Sequence, residues 1–172
     1  MDSGPGDRGV SEVIGFILVF GMLVIAFTVY QGIVVPDQNR QVEFQHNQQL
    51  QGQLQDLRNA IVTTAATGSG QAVSVTLGAT YPRRTIAQNL GVSGGALQTT
   101  GAGSGGIRID NARAIDDETA DYLDGSPRTF DTESIHYTPV YTFYSSAPET
   151  VYENSLVFNR FDGANVTLTD QV

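Results

Sequence analysis

Residues 7–35, DRGVSEVIGFILVFGMLVIAFTVYQGIVV, contain a long apolar run without charge. From Val13 to Val35 this stretch holds 23 residues and no charged side chain. A helix rises about 1.5 Å per residue, so this run would be about 34 Å long, against about 30 Å for the hydrocarbon layer of a bilayer. The stretch is therefore long enough to cross a membrane.

Two features distinguish this run from an ordinary secretory signal, whose apolar region has about 7 to 15 residues and ends at a small-residue cleavage site. The run here is longer, and it is followed by Pro36-Asp37-Gln38-Asn39 rather than by an Ala-x-Ala pattern. We therefore expect the helix to be retained. On hydropathy alone, residues 1–9 would be a flexible cytoplasmic tail. Arg8 before the run and Arg40 after it leave the orientation weakly determined.

The residues at the start of the run suggest a more specific interpretation. Arg8-Gly9 followed by Val10-Ser11-Glu12-Val13-Ile14-Gly15 resembles the class III signal of archaeal type IV pilins, particularly those of haloarchaea. The resemblance implies that a prepilin peptidase cuts between Gly9 and Val10 on the cytoplasmic side and leaves the helix on the mature protein. It also implies that pilus assembly machinery, and copies of this chain or other pilins, contact the helix in a filament core.

Glu12 has two interpretations. In bacterial type IV pilins an acidic residue at the fifth mature position pairs with the N-terminal amine of a neighbouring subunit, whereas Glu12 would be the third mature residue. A carboxylate near a helix start is also favoured by the helix macrodipole, by about 0.3 to 1 kcal/mol. We slightly favour this local explanation. The small-residue pairs Ser11/Gly15 and Thr28/Gly32 have the four-residue spacing that allows helices to approach closely in lipid.

Composition limits the partners and the chemistry. The chain has 172 residues and a formal charge of −9, with 18 acidic residues against 9 basic ones, all of them arginine. An acidic surface repels nucleic acid phosphates, and it is typical either of proteins in high salt or of acidic secreted proteins. No cysteine is present, which excludes disulfides, thiolate metal sites and a cysteine nucleophile.

The segment 36–67 is predicted to be an amphipathic stalk helix. Pro36 predicts a kink or a short break where the chain leaves the membrane. Leu50, Leu54, Leu57 and Ile61 form one apolar stripe, which we expect to lie on a partner helix or on the following domain. The sequence TGSG at 67–70 should end the helix.

The remainder, 68–172, is predicted to be an extracytoplasmic, β-rich head that packs on the stalk. Because proline has no N–H to donate, the strand that contains Pro139 is expected to lie at an edge of the sheet or to be bulged. Asp162-Gly163 predicts a hairpin turn. The glycine-rich segment 91–106 should be an exposed loop before a strand at 107–109. The chain ends inside a strand-like pattern, which is compatible with truncation. Alternation of β-branched and aromatic residues predicts strands at 71–77, 135–144, 150–161 and 164–170.

Candidate sites in the head are weak. The acidic segment 110–125 lacks the ligand spacing of a calcium loop and is interpreted as a solvated surface. His46 and His136 have no second ligand at a local spacing, so no metal site or catalytic triad is predicted. The basic pair at 83–84 is too small for nucleic acid recognition. Asn165 begins the one glycosylation sequon, Asn-Val-Thr.

The sequence thus predicts an α+β protein in which a long N-terminal helix, membrane-spanning and then amphipathic, precedes a small antiparallel head, as in type IV pilins. Its divisions are a leader (1–9), a membrane and filament-core helix (10–35), a stalk (36–67) and the head. The expected function is that of a major or minor subunit of an adhesive surface filament, with no catalysis and no cofactor. A membrane-anchored monomer whose head binds a ligand or partner is the alternative.

Overall fold

The computed structural model describes residues 5–89, 91–101 and 105–169, with side chains from residue 10 onward. Its first part is one helical rod. Helix α1 runs over Pro5–Val29, a π-turn covers Tyr30–Val34, and helix α2 runs over Val35–Thr67. The predicted α+β layout, with a long apolar helix before an antiparallel head, is confirmed. Helix α1 begins inside the segment predicted to be the leader.

The rod does not break near Pro36. The irregularity lies in the preceding turn, where the Val35 N–H donates to the Tyr30 carbonyl, five residues back. Pro36 occupies the first turn of α2, where its missing N–H would otherwise donate to the preceding turn. The wider π-turn accommodates the proline while the chain stays helical, so the expected short break does not occur, and the expected kink stays a prediction.

Helix α2 ends as predicted and carries the core. Gly68 has a left-handed backbone (φ 69°) and its N–H donates to the Thr64 carbonyl, which caps the helix. Leu50 and Leu54 are fully buried against Tyr137 and Val157 of the sheet, with Leu57 packed at the border. The predicted apolar stripe therefore packs on the head domain rather than on a second helix.

The head consists of a five-stranded antiparallel sheet and a separate two-stranded hairpin. The large sheet has the order β1-β4-β5-β6-β7, and the small one pairs β2 with β3. A one-turn helix, α3 (Asp117–Ala120), lies between β2 and β3 in sequence. The strands are β1 (Ser93–Thr99), β2 (Gly105–Ile109), β3 (Arg128–Thr132), β4 (Ile135–Tyr141), β5 (Glu149–Glu153), β6 (Leu156–Phe161) and β7 (Ala164–Thr167).

The loop predicted at 91–106 is wrong for most of its described residues. Strand β1 lies within it and pairs with β4 along its whole length. A Cβ on Gly95 would overlap the ring of Tyr137, so the glycine leaves the space that the buried ring occupies. Gly95 contributes to the core by leaving room for the ring of Tyr137. Composition alone could not indicate this role. Residues 102–104 lie outside the described part.

The strand predicted at 71–77 is also wrong, although two of its three alternating apolar residues are half-buried, while the third, Leu77, is exposed. Val73 and Val75 are half-buried, and Val75 packs against the core. The backbone of Thr76 bonds to side chains of α2: its N–H donates to Gln53 (2.8 Å) and its carbonyl contacts His46 (3.0 Å). Helix side chains thus replace the neighbouring strand that a ladder would need.

The strand containing Pro139 is not at the edge of the sheet. Strand β4 lies between β1 and β5, but β5 pairs only with residues 135–137. Pro139 therefore lies where β4 has β1 as its one partner, and its missing N–H costs no central ladder bond.

The segment predicted as one strand at 150–161 is a hairpin. Asn154 and Ser155, both at positive φ (49° and 67°), form the two-residue turn between β5 and β6. The predicted Asp162-Gly163 turn is confirmed, since Phe161 pairs with Ala164.

Candidate functional site

The first candidate site is the apolar surface of α1. Its large apolar side chains between residues 10 and 29 are 46–72 % exposed, and none of them is buried by the rest of the chain. The head therefore does not cover this surface. One helix near the N-terminus is long and apolar enough to span a membrane.

The residues predicted for processing and assembly lie at the beginning of this helix. Val10 and Glu12 are exposed, and Arg8 and Gly9 are helical in backbone, with the Arg8 side chain outside the described part. A Cβ on Gly15 or on Gly32 would meet nothing within 4 Å, so both positions are open to a partner. Cleavage and the role of Glu12 stay predictions.

The second candidate site is a buried polar cluster between α2 and the head, which we call the joint. Glu43 is fully buried, and its carboxylate accepts the backbone N–H groups of Thr142 (3.0 Å), Phe143 (2.8 Å) and Tyr144 (2.6 Å). The Tyr81 hydroxyl donates to the same carboxylate. Burial, together with the Glu43 carboxylate, raises the pKa of Tyr81 above its ordinary value, so this hydroxyl keeps its proton.

One turn further along α2, His46 continues the joint. Its Nε2 lies 3.0 Å from the Thr76 carbonyl and must donate to it, so Nδ1 accepts from the Tyr141 hydroxyl at 2.6 Å in the neutral ring. Burial and Tyr137 raise the pKa of Tyr141, which maintains it as a donor. His46 is therefore a packing residue of the joint.

Arg84, in the segment before β1, makes hydrogen bonds to the part of the helical rod that precedes Glu43. Its guanidinium donates to the side-chain oxygens of Tyr30 (3.2 Å), Gln38 (2.6 Å), Asn39 (3.2 Å) and Asn89 (2.9 Å). All four partners are neutral. Arg84 therefore has a structural role. Of the basic pair, only Arg83 is exposed.

A third cluster brings together residues that sequence analysis did not connect. His136 lies between the Ser134 hydroxyl (Nε2 to Oγ, 2.7 Å) and Glu149 (Nδ1 to Oε1, 2.9 Å). Arg160 pairs with the other oxygen of Glu149 at 3.0 Å. The available signal was the two-residue spacing from Ser134, directly before β4, to His136 within it, because this spacing in an extended chain places both side chains on one face.

These contacts run from serine to histidine to carboxylate, the order of a catalytic triad. The hydroxyl and the N–H of the serine, however, are already engaged in other hydrogen bonds. Ser134 is buried, and its hydroxyl also contacts Thr100 Oγ1 at 3.1 Å. The Ser134 N–H, which could serve an oxyanion, donates to the same Thr100 oxygen at 2.9 Å. Arg160 shares the carboxylate that would orient the histidine. The cluster therefore ties β4, β5, β6 and the end of β1 together.

Two aspartates of the acidic segment 110–125 accept hydrogen bonds from residues that are close to them in sequence. Asp116 caps α3 through Thr119, and Asp124 accepts the Ser126 N–H at 2.8 Å. Hydrogen bonds from Thr119 lower the pKa of Asp116, and those from Ser126 lower the pKa of Asp124. Over residues 5–89, 91–101 and 105–169 no three His, Asp or Glu side chains converge for a metal ion.

Asn165, the predicted glycosylation candidate, lies in β7, the last strand of the large sheet. Its side chain is exposed, as a glycosylated asparagine requires. Occupancy stays a prediction.

Comparison with known proteins does not place the chain in a family. No protein-family model matches it, and neither the curated proteins nor the solved structures contain a match.

Proposed function

We propose that this protein is a structural subunit of an archaeal type IV pilus-like surface filament that serves attachment. The observation that carries the proposal is an apolar helix, uncovered between residues 10 and 29, that continues through the π-turn into a helix buried in the head. One end of the rod requires an apolar environment, while the other end is part of a folded domain.

The apolar surface of α1 can be covered in two successive ways. Lipid covers it while the subunit is anchored, with the N-terminus cytoplasmic and the head outside. Neighbouring helices then replace lipid in the filament, and the open positions at Gly15 and Gly32 permit their close approach. A helix kept after leader removal serves both stages.

The joint supports a role in transmitting tension along a filament. A filament transmits tension from each head to its helix, and here the connection consists of buried hydrogen bonds rather than a flexible linker. Glu43 joins α2 to the turn after β4, and Arg84 joins the base of the helix to the segment before β1.

A second candidate is an anchored monomer whose head binds a partner and never polymerises. The same exposed helix supports it, because lipid alone can cover the apolar surface. The two candidates differ in one observable, which is the release of the protein by shear.

Shearing of intact cells tests the proposal. We expect the protein in the sheared filament fraction, in a form that begins at Val10. A Gly9→Phe variant should accumulate as uncut precursor in membranes and be missing from filaments, whereas Gly9→Ala should behave as the unaltered protein. Wild-type protein found wholly in membranes would contradict the filament role and favour the anchored monomer.

A further inference from the structure

Residues 82–89 form a loop held against the π-turn, which we call the collar. The Gln31 side-chain amide makes two bonds to the backbone of Gln88: Nε2 donates to the carbonyl (2.8 Å) and Oε1 accepts the N–H (3.2 Å). Arg84 bonds to the hydroxyl of Tyr30. The collar is therefore fixed at the level of residues 30 and 31 along the rod.

That level coincides with the expected boundary of the hydrocarbon layer. Glu12 is the last charged residue before the apolar run, and Gln31 follows it by 19 positions. At about 1.5 Å per residue this separation is about 28 Å, close to the hydrocarbon thickness of about 30 Å. With Glu12 at one boundary, Tyr30 lies at the other, where tyrosine is enriched.

The collar also has the composition of an interfacial segment. Ile86 is 78 % exposed, and Arg83 in the same loop is also exposed. No acidic residue occurs between Asp56 and Asp110, in a chain whose net charge is −9. The collar is therefore basic, whereas the acidic remainder of the chain would repel phosphate.

Two charged residues of α2 are near this level. Asp37 and Arg40 follow the π-turn by one to two turns, and both are exposed. Their charges are opposite and leave the local balance basic.

We propose that the collar is a membrane-contact site of the head: Ile86 enters the interface of the phospholipid bilayer that α1 crosses, and Arg83 contacts headgroup phosphates. Arg84 and Gln31 act as positioning residues that hold the loop at this depth. The contact orients the anchored subunit so that the head rests on the bilayer. This inference depends on α1 spanning the membrane, as in the proposed function.

The absence of cysteine allows a direct depth measurement on the full chain. Single cysteines replace Ile86, Phe20 and Ile115, and each is labelled with an environment-sensitive fluorophore. Phe20 lies in the middle of the apolar run, and Ile115 is a fully exposed isoleucine in the acidic segment. Each variant is reconstituted into vesicles of phosphatidylcholine and phosphatidylglycerol, with and without a lipid that carries a headgroup-level spin-label quencher.

The labels at Phe20→Cys and Ile86→Cys should emit at shorter wavelength than the label at Ile115→Cys, and the quencher lipid should reduce the emission of Ile86→Cys most. An Ile86 label as unquenched as the Ile115 label, beside a lipid-buried Phe20 label, would overturn the collar contact and leave the anchor intact. A Phe20 label in water would overturn the anchor and the collar together.

A second substitution tests the phosphate contact. Adding Arg83→Gln to the Ile86→Cys chain should lower the quenching, whereas Arg108→Gln, an exposed arginine on β2, should not change it. Equal quenching in the two double variants would overturn the assignment of Arg83.

Discussion

Replacing Glu43 with glutamine removes one acceptor from the joint while preserving its size. Oε2 accepts from Phe143 and Tyr144, and Oε1 accepts from Thr142 and Tyr81. The new amide would place its oxygen toward Phe143 and Tyr144, because the Tyr81 hydroxyl can turn and accept from the NH₂ group. The Thr142 N–H then faces a donor and loses its partner.

An orphaned buried donor costs about 1 to 3 kcal/mol, and charge-assisted bonds are roughly twice as strong as neutral ones, so three weakened bonds add to this cost. We therefore expect Glu43→Gln to lower the free energy of unfolding by about 2 to 4 kcal/mol. Urea unfolding of the detergent-solubilised full chain, followed by near-ultraviolet circular dichroism of its tyrosines, measures this change.

Glu133→Gln is the matched control, because Glu133 is exposed in the described head. Its effect should stay within about 0.5 kcal/mol, as for most surface substitutions. If the two variants unfold at the same urea concentration, the buried carboxylate does not hold the head to the helix.

Two further predictions concern the head. Gly95→Ala should lower the free energy of unfolding by about 1 to 3 kcal/mol in the same urea assay, because the new methyl group meets the ring of Tyr137 in a packed core. Thr119 lowers the pKa of Asp116 in the folded state, so this carboxylate stabilises the fold above its unfolded pKa and the contribution is lost as the pH falls. The amide NMR signal of Thr119 should therefore titrate with a midpoint below 3.8, the ordinary pKa of aspartate.

Each of these predictions has a neighbouring control. Gly94→Ala should be close to neutral, because the nearest atom to its Cβ, the Leu77 carbonyl oxygen, is 3.6 Å away. An equal loss in both glycine variants would refute the ring contact. Asp116→Asn keeps a capping side chain without a titrating group, so the Thr119 signal should lose its acid transition. A midpoint at or above 3.8 in the unaltered protein would contradict the assigned hydrogen bonds.

The sequence predicted those parts of the fold whose signal is apolar periodicity or turn chemistry. The stripe of Leu50 and Leu54, the end of α2 at Gly68 and the Asp162-Gly163 hairpin all follow from local rules, and all are confirmed. The same apolar count identified the helix that is long enough to span a membrane.

The parts that could not be predicted depend on contacts far apart in sequence. The buried face of α2 also contains three polar residues, Asn39, Glu43 and His46. Apolar periodicity cannot predict that a polar residue is buried. Glu43 is buried because backbone groups about 100 residues away supply its donors. Gly95 of β1 leaves space for the ring of Tyr137, and neither segment indicates this contact alone.

The proposed subunit loses the leader, residues 1–9, and keeps the remainder of α1, residues 10–29, on the mature protein. Amino-terminal sequencing of the protein extracted from membranes and from sheared filaments tests this processing. We expect both forms to begin Val10-Ser11-Glu12. A protein that still begins at Met1 or Asp2, or one that begins after Val35, would contradict it.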